Sequence, residues 1–191
     1  MALLEILHFA QEECPAAWRE QIIGLMRQEW PRAFEGGPVV WPDCPDTHPT
    51  SFVLLSDRMV VSHVAVPRKE ISHKGQSYQA FGISEVVTHP DCRRQGYGAR
   101  LLKEAAAYIA GNSPDISLFT CVPSLVPFYA HAGWEHYAGT VLVGGTRDNP
   151  FRSDSLGLAT MMRLYSDKAR RNRHAFQETD IELELGERKL W

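Results

Sequence analysis

The segment that most constrains the fold is residues 86–107, where an apolar run leads into a glycine-containing loop and then into a helix-forming stretch. The apolar run ends at Pro90, the loop contains Gly96 and Gly98, and residues 99–107 have a composition that favours an α-helix. The first turn of a helix has unpaired backbone N–H groups and a partial positive charge. Glycines just before it let a phosphate approach closely, so the pattern predicts a phosphate-binding strand, loop and helix.

The glycine spacing distinguishes this loop from two common phosphate-binding motifs. It does not match Gly-x-Gly-x-x-Gly of dinucleotide-binding proteins, and no Gly-Lys-Ser/Thr follows as in nucleoside triphosphatases. The pattern that remains is Arg-x-x-Gly-x-Gly, from Arg93 to Gly98, after a strand that ends Val-x-x-x-Pro. A second element follows, in which the apolar residues 116–121 precede Pro-Phe-Tyr-Ala-His-Ala-Gly-Trp-Glu at residues 127–135.

Together these two elements resemble the Gcn5-related N-acetyltransferase (GNAT) superfamily. In that family Arg/Gln-x-x-Gly-x-Gly/Ala holds the pyrophosphate of acetyl-CoA, and a Phe-Tyr-x-x-x-Gly-Phe/Trp signature follows in the same order. The resemblance implies an α/β (α+β) fold with a mixed, mostly antiparallel central sheet. It also implies that helices flank this sheet and that the sheet is splayed at the acetyl-CoA site.

Length and composition agree with one domain. The chain has 191 residues, 44% hydrophobic content and a net charge of −3, which suffices for one core and argues against a dedicated nucleic-acid or membrane-surface binder. With the resemblance, this predicts that residues 1–191 form a single N-acetyltransferase domain. Its parts are an N-terminal strand and helix (1–30), a lid loop (31–50), a catalytic core (51–165) and a C-terminal extension (166–191).

The cysteines and the N-terminal residues indicate a cytoplasmic protein. Cys14, Cys44, Cys92 and Cys121 are scattered without a Cys-x-x-Cys pair, so neither a zinc site nor a disulfide framework is predicted. The first eight residues lack the basic start of a signal peptide, and no apolar run approaches membrane-spanning length.

Hydrophobic spacing predicts the elements around the loop. Residues 15–30 are expected to form an amphipathic helix, whereas five prolines and Gly36-Gly37 exclude regular structure between residues 31 and 49. Residues 78–88 are expected to form the central strand that leads into the loop. Further strands are expected at residues 3–9, 51–55, 59–66, 116–121, 140–143, 158–164 and 181–185, and one directly after the turn at 73–75.

The resemblance assigns the cofactor-binding residues. Backbone groups near a bulge at Val86, Val87 and Thr88 are expected to bind the pantetheine amides, and loop amides to surround the pyrophosphate. The arginine side chains are expected to add positive charge there, and Phe128 is expected to pack against the cofactor or the core. The loop set is Arg93, Arg94, Gln95, Gly96, Tyr97, Gly98 and Ala99.

The same resemblance assigns the chemistry. Tyr129, the tyrosine of the Phe-Tyr pair, is expected to protonate the departing thiolate. Ser124 is expected to cap its helix or to touch pantetheine. Many family members carry a glutamate base on the central strand, and Glu85 is the acid on that strand here.

The sequence leaves the direction of the Glu85 side chain open. Strand alternation directs Ser84 into the cleft and Glu85 away from it, whereas a bulge shifted by one residue reverses this. Either Glu85 or an ordered water held by Ser84 is therefore expected to take the acceptor proton.

The lid and the C-terminal residues are expected to bind the acceptor. A lid rich in Trp, Asp and Pro suits a small cationic amine. The chain also has a weaker likeness to the aminoglycoside 2'-N-acetyltransferase branch, in which a terminal tryptophan carboxylate and several acids contact the antibiotic, although Lys189 stands where that branch has an acid. The candidate acceptor-binding residues are Glu35, Trp41, Asp43, Asp46, Asp154 and Trp191.

The predicted function is acetyl-CoA-dependent N-acetylation of a small amine by direct attack in a ternary complex. Aminoglycoside acetylation and a CoA-binding sensor with weak turnover are the alternatives. The expected cofactor is acetyl-CoA (coenzyme A), without a metal, and the expected partner is a small-molecule amine rather than nucleic acid or membrane. The sequence leaves the oligomeric state open, with a homodimer as one alternative.

Overall fold

The computed structural model describes residues 3–35 and 39–191, so the Gly36-Gly37-Pro38 part of the predicted lid lies outside the described residues. The chain divides into two compact units, the first made of residues up to 67 and 84–105, the second of residues 68–83 and 106–191. The single-domain assignment stays a prediction.

The helices are α1 Ala16–Glu29, α2 Tyr97–Gly111, α3 Val126–His131 and α4 Asp167–Arg171. The strands are β1 Leu4–Ala10, β2 Thr50–Ser56, β3 Met59–Val66, β4 Arg68–His73, β5 Gln76–Phe81, β6 Ser84–Thr88, β7 Ile116–Cys121, β8 Glu135–His136, β9 Val141–Gly145, β10 Pro150–Arg152, β11 Ala159–Leu164 and β12 Asp180–Glu182.

The first unit contains a four-stranded antiparallel sheet in the order β1-β2-β3-β6. Helix α1 packs on β3 and β6, and its apolar residues recur at helical spacing, so that one face is buried. That face packs with Val53, Val60 and Val87 of the sheet. The buried residues of α1 are Ile22, Ile23, Leu25 and Met26.

The second unit contains two sheets. The larger has the order β4-β5-β7-β11-β8, in which β5 and β7 are parallel and the other neighbours antiparallel, and the smaller has the order β10-β9-β12. The alternation predicted for residues 181–185 is present, because Ile181, Leu183 and Leu185 are buried while Glu182 and Glu184 are exposed. This mixed α+β architecture with mainly antiparallel sheets is the predicted fold class.

The prediction of one central strand over residues 78–88 is wrong. The segment forms two strands in different sheets, since β5 pairs with β4 and β7 whereas β6 pairs with β3. Strand β4 was not predicted. Side-chain periodicity reports which residues are buried, and it does not report a change of partner strand at Gly82 and Ile83.

The lid also differs in detail from the prediction. Two single 3-10 turns, Pro31–Phe34 and Pro45–Thr47, interrupt the irregular backbone. Trp41 is the most buried aromatic residue of the lid, with a relative exposure of 4%.

Among residues 3–35 and 39–191, no helix has both the length and the apolar character that crossing a bilayer requires.

Candidate functional site

A β-bulge in β6 sets the direction of the Glu85 side chain. His63 pairs with Val87, but the next pair in register is Ala65 with Ser84, so β6 has one residue more than β3 in this interval. Glu85 itself has φ of 50°, in the left-handed region. Because the extra residue breaks the alternation of the strand, the neighbours Ser84 and Glu85 line the same cavity. Of the two directions that the sequence left open for Glu85, the structure has the one that requires a bulge.

The cavity lies within the first unit and has a volume of about 520 Å³. Its walls combine aromatic and aliphatic side chains with three carboxylates, and those carboxylates are Glu35 and Asp43 of the lid and Glu85 of β6. A pocket with apolar walls and a few acidic groups suits a small organic cation. The other lining residues are Met26, Trp30, Ala33, Phe34, Val39, Val40, Trp41 and Ser84.

The Glu85 carboxylate is held by two N–H donors. Gln11 Nε2 donates to Oε2 at 2.9 Å, and Trp41 Nε1 lies 3.1 and 3.2 Å from the two oxygens. The side chain is 17% exposed. Burial raises the pKa of Glu85 to about 7, with Asp43 adding to the rise and the bonds from Trp41 and Gln11 opposing it. A carboxylate with this pKa exchanges protons readily near neutral pH, as a general base must.

Trp41 is itself fixed in place. Its backbone oxygen accepts a hydrogen bond of 2.5 Å from the Arg19 guanidinium, and that guanidinium carbon lies 6.0 Å from the centroid of the indole ring. Helix α1 therefore anchors the part of the lid that carries the Trp41 donor.

His63 lies behind Glu85 on β3 and is fully buried. Its Nδ1 is 3.2 Å from the Glu85 backbone oxygen and 3.7 Å from Glu85 Oε2, and its Nε2 is 2.8 Å from Ser51 Oγ. Burial lowers the pKa of His63 to about 4, so the ring is neutral at physiological pH. Since a carbonyl oxygen only accepts, Nδ1 carries the proton and Nε2 accepts from Ser51.

The glycine loop leads into α2 as predicted. Arg94 and Gly96 have φ of 62° and 79°, and α2 begins at Tyr97. Among the described residues, none accepts a hydrogen bond from the backbone N–H groups of residues 94–99. These donors, together with the helix dipole, form an arrangement that attracts an anion.

The polar side chains of the loop are partly used within the protein. Arg93 forms an ion pair with Glu29 at the end of α1, and its Nε donates to the Thr88 backbone oxygen. Gln95 Nε2 donates to the Asp91 backbone oxygen at 3.2 Å. Arg93 therefore braces the loop against α1.

The strand positions predicted to bind pantetheine differ in exposure. Val86 and Thr88 are half-buried, whereas Val87 belongs to the core under the sheet. The Val87 backbone oxygen accepts from Ser62 Oγ at 3.0 Å, and that hydroxyl lies 2.8 Å from Thr88 Oγ1.

Tyr129 lies in α3 of the second unit and is 5% exposed. Its ring makes edge contacts with Phe119 and Phe128, with centroid separations of 4.7 and 5.0 Å. Burial, with a smaller contribution from Cys121, raises the pKa of Tyr129 above its ordinary value, so the phenol stays protonated at neutral pH. The expected cap by Ser124 is not found, because the N-cap of α3 is Leu125, without a side-chain hydrogen bond.

Comparison with known proteins gives the family. Residues 21–137 match the family described as acetyltransferase (GNAT) domain. The chain belongs to the GNAT family. Its enzyme class is therefore acyltransferase. No functionally curated protein matches the chain.

Several solved structures share this fold at low sequence identity. Escherichia coli ElaA has a TM-score of 0.61 at 14% identity, covering 84% of this chain and 99% of that one. An acyl-CoA N-acyltransferase from Pseudomonas aeruginosa has a TM-score of 0.60 at 15% identity, with coverage of 84% and 99%. A probable N-acyltransferase from Enterococcus faecalis V583 has a TM-score of 0.56 at 22% identity over 71% of this chain, and the match spans a third (33%) of its length.

Three of the six predicted acceptor residues line the cavity of this GNAT protein, namely Glu35, Trp41 and Asp43. Asp46 is exposed in a 3-10 turn and is not among the lining residues. Asp154 and Trp191 lie in the second unit. Asp154 forms an ion pair with Arg152, and the backbone oxygen of the buried Trp191 accepts hydrogen bonds of 2.9 and 2.6 Å from Thr120.

Two of the four cysteines lie in surroundings that disfavour the thiolate. Burial raises the pKa of Cys14 and of Cys121 to about 11, which disfavours a thiolate nucleophile at neutral pH. Within residues 3–35 and 39–191, no group of three or more His, Cys, Asp or Glu side chains has an arrangement suited to a metal ion.

Sequence reasoning missed Gln11 and His63. Gln11 directly follows β1. His63 interrupts the apolar run of β3, and this interruption is the one sequence signal that marks His63. Both contacts to Glu85 join residues far apart in the chain, so no local spacing predicts them.

Proposed function

We propose that this GNAT protein is an acetyl-CoA-dependent N-acetyltransferase that acetylates the primary amine of a small, cationic acceptor. The observation that carries the proposal is the Glu85 carboxylate, which faces a cavity of about 520 Å³ with a pKa raised to about 7. The family gives acyl transfer, and the acidic cavity supports an amine as the acceptor.

Recognition of the acceptor is the first step. An ammonium group entering the cavity meets the carboxylates of Glu35, Asp43 and Glu85, while aromatic and aliphatic walls contact its carbon skeleton. Desolvation strengthens the attraction between the ammonium and these carboxylates. The same interaction disfavours neutral and anionic acceptors.

Removal of the acceptor proton is assigned to Glu85. The ammonium gives a proton to the ionised carboxylate, and the neutral nitrogen then has the lone pair needed to attack the thioester carbonyl. Gln11 and Trp41 hold the carboxylate in one orientation. The hydroxyl of Ser84, next to Glu85, is proposed to orient the amine or a relaying water.

Cofactor binding is assigned to residues 86–88 and to the loop. The N–H groups of residues 94–99 bind the pyrophosphate, with Arg94 adding positive charge, and the backbone at the β6 bulge binds the pantetheine amides. Tyr129 is assigned the final proton transfer to the coenzyme A thiolate on the ground that it is the tyrosine of the Phe-Tyr element. Phe128 is assigned to packing against the cofactor.

An amine panel tests the function. Purified protein is incubated with acetyl-CoA and diamines, polyamines, aminosugars, aminoglycosides and neutral amino acid amides, and free thiol is measured together with the acetylated product by mass spectrometry. We expect thiol release with a cationic amine and a matching mass increase of one acetyl group. Binding of acetyl-CoA without turnover on any amine would instead favour a CoA-binding sensor.

A further inference from the structure

We propose that His63 is a positioning residue that stabilises the β6 bulge and thereby keeps the Glu85 carboxylate directed into the cavity. The kinetic part of its test rests on the proposed function, whereas the spectroscopic part does not. His63 makes no contact with the cavity, so it acts through Glu85.

The bulge needs a compensating interaction. Glu85 adopts φ of 50°, a conformation that costs a residue with a Cβ some free energy. The register shift also removes residues 85 and 86 from regular pairing with β3. His63 Nδ1 donates to the Glu85 backbone oxygen at 3.2 Å. This hydrogen bond stabilises the backbone of the bulge.

The His63 ring is restricted to the tautomer that carries its proton on Nδ1. Ser51 Oγ lies 2.8 Å from Nε2, and both side chains are completely buried. Because burial lowers the pKa of His63 to about 4, the ring is neutral near pH 7. The hydrogen bond to the bulge is therefore present over the range in which Glu85 titrates.

The His63 ring also lies next to Trp41, which donates a hydrogen bond to the Glu85 carboxylate. The rings of His63 and Trp41 meet edge-on, with centroids 6.1 Å apart. Four groups therefore surround Glu85: Gln11 and Trp41 donate to the carboxylate, Asp43 raises its pKa, and His63 lies 3.7 Å from Oε2. Loss of the His63 ring removes the group that contacts both the backbone and the side chain of Glu85.

The test compares Ser51→Ala with Ser51→Ala/His63→Leu. The single change removes the hydrogen bond at Nε2 and leaves the Nδ1 donor, and the double change replaces the whole polar pair by apolar groups, which avoids a buried unpaired hydroxyl. His63→Asn is the rescue variant, because its side-chain amide places an N–H near the position of Nδ1.

The first readout is the Trp41 indole N–H resonance in a proton–nitrogen NMR spectrum, assigned with Trp41→Phe. In the wild type and in Ser51→Ala it should titrate near pH 7 with Glu85, and Glu85→Gln should abolish this titration. In Ser51→Ala/His63→Leu the titration should be displaced or absent, and His63→Asn should retain it. An unchanged titration in the folded double variant overturns the proposal, as does a wild-type indole that does not titrate.

The second readout is the pH dependence of kcat with the best amine of the panel. The kcat of the double variant should be at least tenfold lower than that of Ser51→Ala, with KM for acetyl-CoA unchanged. In the pH profile of kcat, the rise near pH 7, called the acid limb, should be displaced or lost. Equal kcat values and equal limbs would contradict a positioning role. If no amine is acetylated, the proposed function fails, and the NMR titration still decides the role of His63.

Discussion

The indole Nε1 of Trp41 lies 3.1 and 3.2 Å from the two carboxylate oxygens of Glu85. This contact joins the lid to the bulged strand within the first unit. A single N–H shared between both oxygens favours the ionised carboxylate, while burial favours the protonated one. The raised pKa of Glu85 is the balance of these effects, and burial is the larger.

Replacing Glu85 by Gln removes the proposed base at constant side-chain volume. We expect kcat to fall by about 10²- to 10⁴-fold, the usual contribution of a general base. The wild-type rate should rise with pH through about 7, because only the ionised Glu85 accepts a proton. Steady-state kinetics from pH 5.5 to 9 should show this limb in the wild type and not in Glu85→Gln. A limb that persists in the variant would assign the base to another group or to water.

Replacing Trp41 by Phe removes the N–H and keeps an aromatic wall. Because that N–H lowers the pKa of Glu85 against the effect of burial, the acid limb of kcat should move to higher pH in Trp41→Phe. Arg19→Lys is a useful comparison, since it weakens the anchor of the Trp41 backbone oxygen and leaves the indole donor. A limb that stays in place, or moves to lower pH, would contradict the assigned hydrogen bond.

Replacing Tyr129 by Phe removes the proposed proton donor. The buried ring should pack as before, so CoA affinity measured by calorimetry should not change, while kcat should fall by about 10²-fold or more. The effect should shrink with an acyl donor whose thiol leaving group has a lower pKa, because that thiolate needs a proton less. Wild-type kcat in Tyr129→Phe would restrict this residue to packing.

Replacing Gly96 by Ala tests the phosphate loop. The Gly96 φ of 79° disfavours any side chain, although a Cβ there would meet nothing within 4 Å. We expect a strain of about 1 kcal/mol, which is relieved by moving the loop N–H groups, and therefore weaker CoA binding. Gly75→Ala is the matched control, since φ of 75° and the open space are similar in the β4–β5 turn. It should lose similar stability and keep CoA affinity, so equal affinities in both variants would contradict the loop assignment.

The two buried titratable groups should affect stability in opposite directions. The folded-state pKa of Glu85 is raised from 4.5 to about 7, so its contribution to the free energy of unfolding falls by about 3 kcal/mol as pH rises through this interval. The pKa of His63 is lowered from 6.5 to about 4, so its contribution falls by about 3 kcal/mol as pH drops through that interval.

Urea unfolding at several pH values separates these two contributions. Glu85→Gln should gain stability with rising pH between 4.5 and 6.5 more steeply than the wild type, because the opposing contribution of Glu85 is removed and that of His63 is kept. His63→Asn should lose stability with rising pH over the same range. If the free energy of unfolding depends on pH in the same way in the wild type, Glu85→Gln and His63→Asn, neither group has the shifted pKa assigned to it.

The amino-acid sequence by itself determined the order of the strand, the glycine loop and α2, together with the Phe128-Tyr129 element. These features depend on local properties, since glycine permits positive φ at residue 96 and the composition of residues 99–107 favours a helix. The apolar faces of α1 and β12 were predictable for the same reason, because burial leaves a periodic pattern in the sequence.

Only the tertiary structure decided where the carboxylate of the site lies. The division of residues 78–88 into β5 and β6 depends on which partner strand each half meets, and the bulge that turns Glu85 depends on the register with β3. Gln11, Trp41 and His63 reach Glu85 from distant parts of the chain. Such contacts follow from packing, and packing leaves no spacing that a linear pattern reports.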